Sequence, residues 1–486
     1  MKDFPKYVPA TAYSTLGDEA GAPFYDIVEP AAFPERTLRY RNQRWAEKAG
    51  LGGLSDAQWI AHFGAFEPLP RNLERPLAIR YHGHQFRSYN PDIGDGRGFL
   101  FAQLRDDQGR LLDLGTKGSG QTPYSRFGDG RLTLKGGVRE ILATEMLEAL
   151  GVYTSKSFSL IETGEALYRG DEPSPTRSSV LVRLSHSHVR FGVFERLAFE
   201  KDEQAIGDLV DYCVAHFYPA LSGLSGGDKV AAFYESVVRR TARLAAQWMA
   251  AGFVHGVLNT DNINVTGESF DYGPWRFAPT ADPTFTAAYF DETGLYAFGR
   301  QAEACAWNLA QFGGALSLVA DVEPLTSALQ TFGDVYEEAM ADEYFRRLGL
   351  AREGKGDFAF LVDLLKWMTE TAAPYEQLFF DWFCGAASAG RAANSPAAAF
   401  YASDDFAPVR SRLTAYAPAD EARLAHPYFQ QGEPCSMLIG EVEAIWGAIA
   451  DNDDWRLFES KLKAIAEMRE AYGFDASSYA PLPASK

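Results

Sequence analysis

Cysteine is scarce in this chain: Cys213, Cys305, Cys384 and Cys435 are the four in 486 residues, and no two share a Cys-x-x-Cys spacing. That pattern excludes a disulfide-stapled scaffold and a cysteine zinc site, and fits reduced, mostly buried thiols. Positive charge is also in short supply. Lys and Arg number 46 against 65 Asp and Glu, giving a net charge of −19. Such a balance argues against nucleic acid or an anionic membrane as a main partner. Long apolar runs are missing as well. The most apolar helical stretch, around 244–258, is interrupted by Gln247, Gly252 and His255, so no membrane span is expected. The opening MKDFPKYVPATAYSTLG lacks the apolar core of a signal peptide and the Arg/Ser richness of a transit peptide. The expectation is a soluble, bacterial-type cytoplasmic protein. Internal repeats, low-complexity tracts, the Walker spacing and the dinucleotide glycine fingerprint are all absent.

What is present is an ordinary globular composition, 46% apolar and 23% charged, in a chain long enough for two to four domain-sized units. The charge is uneven. Between Gly94 and Arg190 there are 13 Lys/Arg against 12 Asp/Glu, a near-neutral island in an acidic protein. An anionic ligand would be tolerated there, although composition noise explains the island equally well.

Residues 1–75 are rich in Pro, aromatics and short helical pieces, and read as an extension packing on the kinase-like domain after it. From 76 to 195 the chain turns strand-like. GFLFAQLRDDQGRLLDLGTK predicts two strands joined at Asp106–Gly109, SFSLIETGEALYRG a hairpin turning at Thr163-Gly164, and SSVLVRLS a further strand. One helix interrupts them, with Val138, Ile141, Leu142, Met146, Leu147 and Leu150 on one face and Gly151 to close it. From 196 to 486 helical periodicity dominates, over 204–222, 230–251, 297–315, 325–347, 357–386 and 436–471. The fold class predicted is α+β: a two-lobed, kinase-like layout with a small β-rich lobe, one key helix and a larger helical lobe.

The chemistry concentrates in HGVLNTDNINVTGESFDYG, residues 255–273. Asn262 and Asp271 stand nine apart, the second in an Asp-aromatic-Gly turn, as in kinase-like enzymes that hold Mg²⁺ against a nucleotide with one amide and one carboxylate. The Asp that usually handles the acceptor hydroxyl is replaced by Val257. Asp261, four residues on, is placed to act as base or simply to cap the loop; both readings stand. Lys117 ends a strand and Glu140 follows 23 residues later on the lone helix, the order of a strand Lys oriented by a helix Glu toward phosphate. Gly94-Asp95-Gly96-Arg97-Gly98 is either a phosphate-approaching loop or a plain turn. Asp129-Gly130 likewise reads as a turn. Arg183 and Arg190, seven apart, would clamp a phosphate or form interlobe salt bridges. His82, His84, His186 and His188 lack partners at ligand spacing and read as structural, and His255 as a support for the loop.

Taken together, GDGRG, GTKGSGQTPYSRFGDGR, VRE, VRLSHSHVRFG, HGVLNTDN and DYGP resemble the selenoprotein O family of protein adenylyltransferases, also called YdiU proteins, from about Arg80 to Trp446. The resemblance implies a pseudokinase fold that binds ATP in a flipped orientation and transfers AMP to Ser, Thr or Tyr hydroxyls of proteins; whether the chain is among its own substrates is left open by the sequence. It implies ATP contacts from Gly94, Gly96, Arg97, Lys117, Asp129, Gly130, Arg183, Arg190 and Asp271. It also implies Mg²⁺ (or Mn²⁺) on Asn262 and Asp271, Glu140 as the ion-pair support of Lys117, and Asp261 as proton acceptor. The residues alone leave two rivals, a true kinase and an ATP-binding scaffold without chemistry. The chain departs from the family in two places. Its tail ASSYAPLPASK carries no cysteine or selenocysteine, which puts redox control in doubt, and Arg87 stands where Gly is expected.

Overall fold

The computed structural model describes residues 6–170 and 172–474. The tail ASSYAPLPASK and the first residues of the 1–75 segment lie outside the described residues. The architecture is mixed α+β, an antiparallel sheet followed by many helices. The strands up to Ser185 are β1 (Val8–Ala10), β2 (Tyr25–Ile27), β3 (Thr37–Arg41), β4 (Leu77–Ile79), β5 (Gly83–Gln85), β6 (Ser88–Asn90), β7 (Leu100–Arg105), β8 (Leu111–Lys117), β9 (Leu132–Thr133), β10 (Lys156–Leu167) and β11 (Thr176–Ser185); a short pair, Phe253–Val254 with Arg276–Phe277, follows later. Nine of them form one sheet in the order β2-β4-β7-β8-β11-β10-β3, with β1 added on β7 and β9 on β11. The early segment therefore donates three strands to the same sheet. The hairpin β5–β6 stands apart.

The helices are α1 (Gln43–Lys48), α2 (Asp56–Phe63), α3 (Leu134–Ala149), α4 (Phe191–Glu200), α5 (Glu203–Phe217), α6 (Gly226–Ala250), α7 (Gln301–Leu316), α8 (Val322–Gln330), α9 (Phe332–Leu348), α10 (Asp357–Thr371) and α11 (Tyr375–Asp381). Shorter pieces come next, then Ile439–Asn452 and Arg456–Tyr472. Among the described residues no helix is long and apolar enough to cross a membrane. All four cysteines are buried and free.

Period-2 alternation decides which side chains face which core. Val180, Val182 and Leu184 of β11, with Leu112 and Leu114 of β8, point into an outer core filled by Trp45, Trp59 and Phe63 of α1 and α2. The intervening Leu111 and Leu181 join the larger core built around α3. Lys117 and Arg183 belong to this second set by parity, which is how two buried cations come to stand on the α3 side of the sheet.

Several expected elements differ in detail. Thr163-Gly164 does not end a hairpin: β10 runs through it with a register shift between Glu162 and Ala166, which the positive φ of Gly164 (75°) accommodates. The helix expected over 325–347 breaks at Thr331, whose hydroxyl bonds the Ala328 carbonyl at 2.8 Å in competition with the helix ladder. The one over 357–386 stops at Ala372, left-handed at φ 53°, just before Pro374. The one over 436–471 divides at Asp453, also left-handed (φ 50°), whose carboxylate is held by Arg39 and Arg177. α4, directly after Arg190, lies ahead of the first helix expected in the helical lobe, the one over 204–222.

Glu148 at the end of α3 ties four elements together. It accepts from Arg44 and from the indole of Trp45 on α1, and faces Lys156 of β10 at 3.6 Å and Arg469 of the last helix at 3.7 Å. Burial pushes its carboxyl up, but Lys156, Arg44 and Arg469 outweigh that and hold it well below the carboxylate range. Replacing one member of a buried ion set leaves the others uncompensated. Glu148→Gln should therefore lower unfolding free energy by about 3–5 kcal/mol in urea titrations at pH 7. Because the folded-state carboxyl is depressed, this stabilisation is present above the unfolded value of about 4.3 and fades as pH falls below it. The gap between wild type and variant should narrow in acid; a constant gap down to the lowest pH at which both fold would contradict the assignment.

Candidate active site

A cavity of about 690 Å³ opens between the sheet and the segment 261–271. Gly94, Gly96, Arg97, Lys117, Asp129, Gly130, Arg183, Arg190, Asp261 and Asp271 all line it, so the structure brings together ten of the twelve residues singled out from sequence. Glu140 stands directly behind, fully buried, with its carboxylate 2.7 Å from the Lys117 ammonium. Asn262 is next to Asp261 but is not on the lining; its amide donates to the Val257 carbonyl at 3.1 Å. Residues that sequence did not single out also line the space: Asp95, Tyr81, Arg126, Phe127, Tyr168 and Arg169. Asp95 sat within the quoted glycine motif, but nothing in its spacing marked it as the partner of a distant Arg.

The inner wall is built on one carboxylate. Asp271 Oδ1 lies 3.0 Å from Lys117 Nζ and 3.2 Å from Arg183 Nη1, and its Oδ2 lies 3.2 Å from Arg190 Nη1. Arg183 also reaches Glu140 at 3.3 Å, and Arg190 reaches Asp95 at 3.4 Å. The three cations are nearly inaccessible, whereas the Asp271 side chain keeps 21% of its surface open to the cavity. Burial pushes the Asp271 carboxyl up, but Lys117, Arg183 and Arg190 prevail and hold it well below the ordinary carboxylate range. Asp261 has the opposite fate. Burial drives it up to about 7 against the pull of Arg190, with the Asp271 charge adding to the rise. Its Oδ1 is buried without a hydrogen-bond partner.

Local pairing places these groups. In the antiparallel register of β8 and β11, Lys117 sits opposite Leu181 and Arg183 opposite Gly115. A Cβ at Gly115 would fall 2.0 Å from the His188 ring, so the strand passes that imidazole only as glycine. Backbone bonds then pin the loop at both ends. Phe191 N donates to Ile263 O at 3.0 Å and Val265 N to Val189 O at 3.0 Å, so Arg190 is locked beside Asp261; its Nη1 bonds the Asp261 carbonyl at 3.0 Å. Ser269 N donates to Tyr153 O and Ser155 N to Ser269 O, both at 2.9 Å, just before Asp271 takes its left-handed conformation (φ 65°). His255 is buried and bonds the Phe270 carbonyl at 3.0 Å, the supporting role its position suggests.

The β5–β6 hairpin rests on the same loop. His84 N donates to Thr260 Oγ1 at 2.7 Å, and Phe86 N to Asn259 Oδ1 at 3.1 Å. His84 itself pairs with Glu195 at 2.6 Å, while His82, His186 and His188 face Tyr89, Tyr153 and Asp113, all structural partners. Arg87 takes a left-handed conformation, φ 64°, which accounts for a glycine being expected there; its guanidinium is held by Glu303 at 2.7 Å. Farther out, Asp129 pairs with Arg169 at 2.8 Å at the cavity mouth.

Among the described residues no three His, Cys, Asp or Glu side chains converge as a complete metal cage. A nucleotide-bound Mg²⁺ does not need one, since it takes one or two carboxylates and completes its shell with phosphate oxygens and water. The open carboxylate of Asp271, the neighbouring amide of Asn262 and the orphaned Oδ1 of Asp261 fit that kind of donor set. Chemically, a wall of buried cations can neutralise an anionic ligand, and a carboxyl that titrates near neutrality can give up or take a proton at ordinary pH.

A family model described as protein adenylyltransferase SelO matches residues 8–466. Similar proteins include the protein nucleotidyltransferase YdiU of Synechocystis sp., 43% identical over 93% of this chain and 97% of its own length. That of Trichodesmium erythraeum is 44% identical, over 92% of this chain and 96% of its own. The Vibrio cholerae protein of the same name is 36% identical over 74% and 72%. With the match spanning nearly every described element, the chain belongs to the SelO family of protein adenylyltransferases, a family of nucleotide-transferring enzymes.

Proposed function

We propose that the protein transfers AMP from ATP to Ser, Thr or Tyr hydroxyls of proteins, itself among them, on a two-lobed kinase-like scaffold. The strands of 76–195 with α3 serve as the small lobe, 196–486 as the helical lobe, and 1–75 as an extension that adds β1, β2 and β3 to the sheet. The observation that carries the reading is the inner wall. Lys117, Arg183 and Arg190 are buried together around the single carboxylate of Asp271. Glu140, Asp95 and Asp271 already balance these cations, but their remaining N–H donors suit the oxygens of a triphosphate tail and have nothing to bond on a purine face. ATP therefore enters tail first, with Arg97, Gly94, Gly96, Asp129 and Gly130 on the same cavity lining to receive the rest of the nucleotide.

In that orientation the α-phosphorus faces the acceptor. The hydroxyl oxygen forms a bond to the α-phosphorus, the bond from that phosphorus to the α,β-bridging oxygen breaks, and pyrophosphate leaves into the cationic wall. Asp261 takes the hydroxyl proton, and Arg190, held at its carbonyl, keeps the carboxylate in place. Glu140 orients the Lys117 ammonium. Asp271 and Asn262, with Asp261 adjacent, are the residues that would hold Mg²⁺, or Mn²⁺ in its stead, which when bound supplies charge neutralisation at the phosphates. The missing acid at Val257 matters little here, because the reacting phosphorus is no longer the outermost one.

Intact-mass measurement after incubation with Mg²⁺, ATP and candidate proteins, the enzyme included, should show an AMP-sized increment. A phosphate-sized increment would establish a kinase instead, and ATP binding with no increment would establish a scaffold. Asp261→Ala should slow transfer by about 10²–10⁴-fold, the usual worth of a positioned base, while ATP affinity stays within a few-fold. Undiminished transfer in that variant would remove Asp261 from the mechanism. Lys117→Met should weaken ATP binding by about tenfold or more, read by titration calorimetry, since a charge-assisted bond to phosphate is lost. Chelation with EDTA should stop transfer, and Asp271→Asn should not be rescued by added Mg²⁺.

A further inference from the structure

A second cavity, of about 550 Å³, shares no lining residue with the first. Its wall collects four arginines, Arg105, Arg110, Arg240 and Arg243, in a chain of net charge −19. Two are already matched: Arg110 binds Asp106 at 2.7 Å, and Arg243 binds Glu343 at 3.2 Å. The other two are not. Arg105 donates to the Gly109 carbonyl at 2.9 Å, and Arg240 makes two long bonds of 3.4 Å, to the carbonyls of Thr266 and Phe217. Among the described residues neither has a carboxylate within ion-pair distance. Arg240 also stacks over the Tyr218 ring at 4.2 Å, which leaves its edge available; half-buried guanidinium groups hydrogen-bonded only to carbonyls retain donors, and the planar fork of each suits the oxygens of a phosphate.

Apart from Gln108, Gln247 and Thr266, the remainder of the wall is largely apolar and aromatic. Phe217 packs edge-on against His186 at 5.3 Å between ring centres, and His216 lies beside it with Leu244 and Pro219 on the lining. Burial pushes His186 down to about 3, so it is a neutral ring at physiological pH. A bare inorganic anion would leave that surface uncovered, and a single carboxylate would neutralise one arginine of two. The volume is within the range of small-molecule sites.

We propose that this cavity binds an organic phosphate carrying a flat ring, a ligand of the mononucleotide class, with its phosphate on Arg105 and Arg240 and its ring against Phe217 and His216. The site also touches the loop that carries Asn262 and Asp271, through Thr266 and Gly267. Gly267 has φ 70°, and a Cβ there would meet Arg240 at 2.7 Å, so the loop packs on α6 at this point with no room for a side chain. The inference stands on these residues alone and does not depend on how ATP lies in the first cavity.

AMP is the probe. Titration calorimetry on the full-length protein should give an AMP site whose affinity falls about tenfold or more in the double variant Arg105→Gln/Arg240→Gln and is unaltered in Lys117→Met. His216→Glu, which places a carboxylate on the same wall, should produce the same loss and serves if the double variant fails to fold. Inorganic phosphate should compete far more weakly than AMP. Absence of AMP binding in the wild type, AMP affinity unchanged in both cavity variants, or phosphate competing as well as AMP would each overturn the proposal.

Discussion

Three buried cations sharing one carboxylate is the constraint on which the rest of the site depends. Lys117, Arg183 and Arg190 come from two neighbouring strands and the start of α4, and Asp271 is where all three meet. Taking three charges out of water is costly unless each finds a counter-charge. Glu140 and Asp95 share the task from behind, leaving the Asp271 carboxylate partly open to the cavity. The result is a wall that remains charge-rich though largely buried, suited to a polyanion.

That wall also sets two carboxyl groups, ten positions apart in sequence, against each other. Asp271 is surrounded by cations and held ionised; Asp261 is buried with fewer and rises to about 7. Environments that push a pair of acids apart in this way commonly divide labour between charge and proton transfer. The division depends on the two backbone bridges that clamp 263–265 to 189–191 and 269 to 153–155. A loop free to move would expose both acids to water and lose the distinction.

Much of the fold was legible because its periodicities are local. The β7–β8 hairpin, the strand over 176–185 and the helix α3 stand where alternation and helical spacing predicted them. The errors arose where a single residue overrides a periodic pattern. Gly164 lets a strand continue past an apparent turn, and Ala372 and Asp453 end helices whose apolar spacing runs on. The site was legible to the extent that its residues sit in recognisable motifs. Asp95, although inside the glycine motif, and Arg169 gave no sign of their partners Arg190 and Asp129, which are tens of residues away in sequence. The arginines of the second cavity were equally silent: Arg105 and Arg240 look like ordinary surface charges until α6 is set against the β7–β8 turn.

The sequence by itself determined the chemistry available: a chain poor in cysteine and positive charge, with a strand lysine, a helix glutamate and an Asn-to-Asp loop in the order that nucleotide enzymes use. Those properties reside in residue types and short spacings, which any conformation of the chain retains. Only the tertiary structure decided that Asp271 is ionised and Asp261 poised near neutrality, that Asn262 turns its amide to Val257, and that two arginines far apart in sequence face one cavity. Each of these is a matter of burial and distance, and neither quantity exists until β8, β11 and the 261–271 loop are packed against one another.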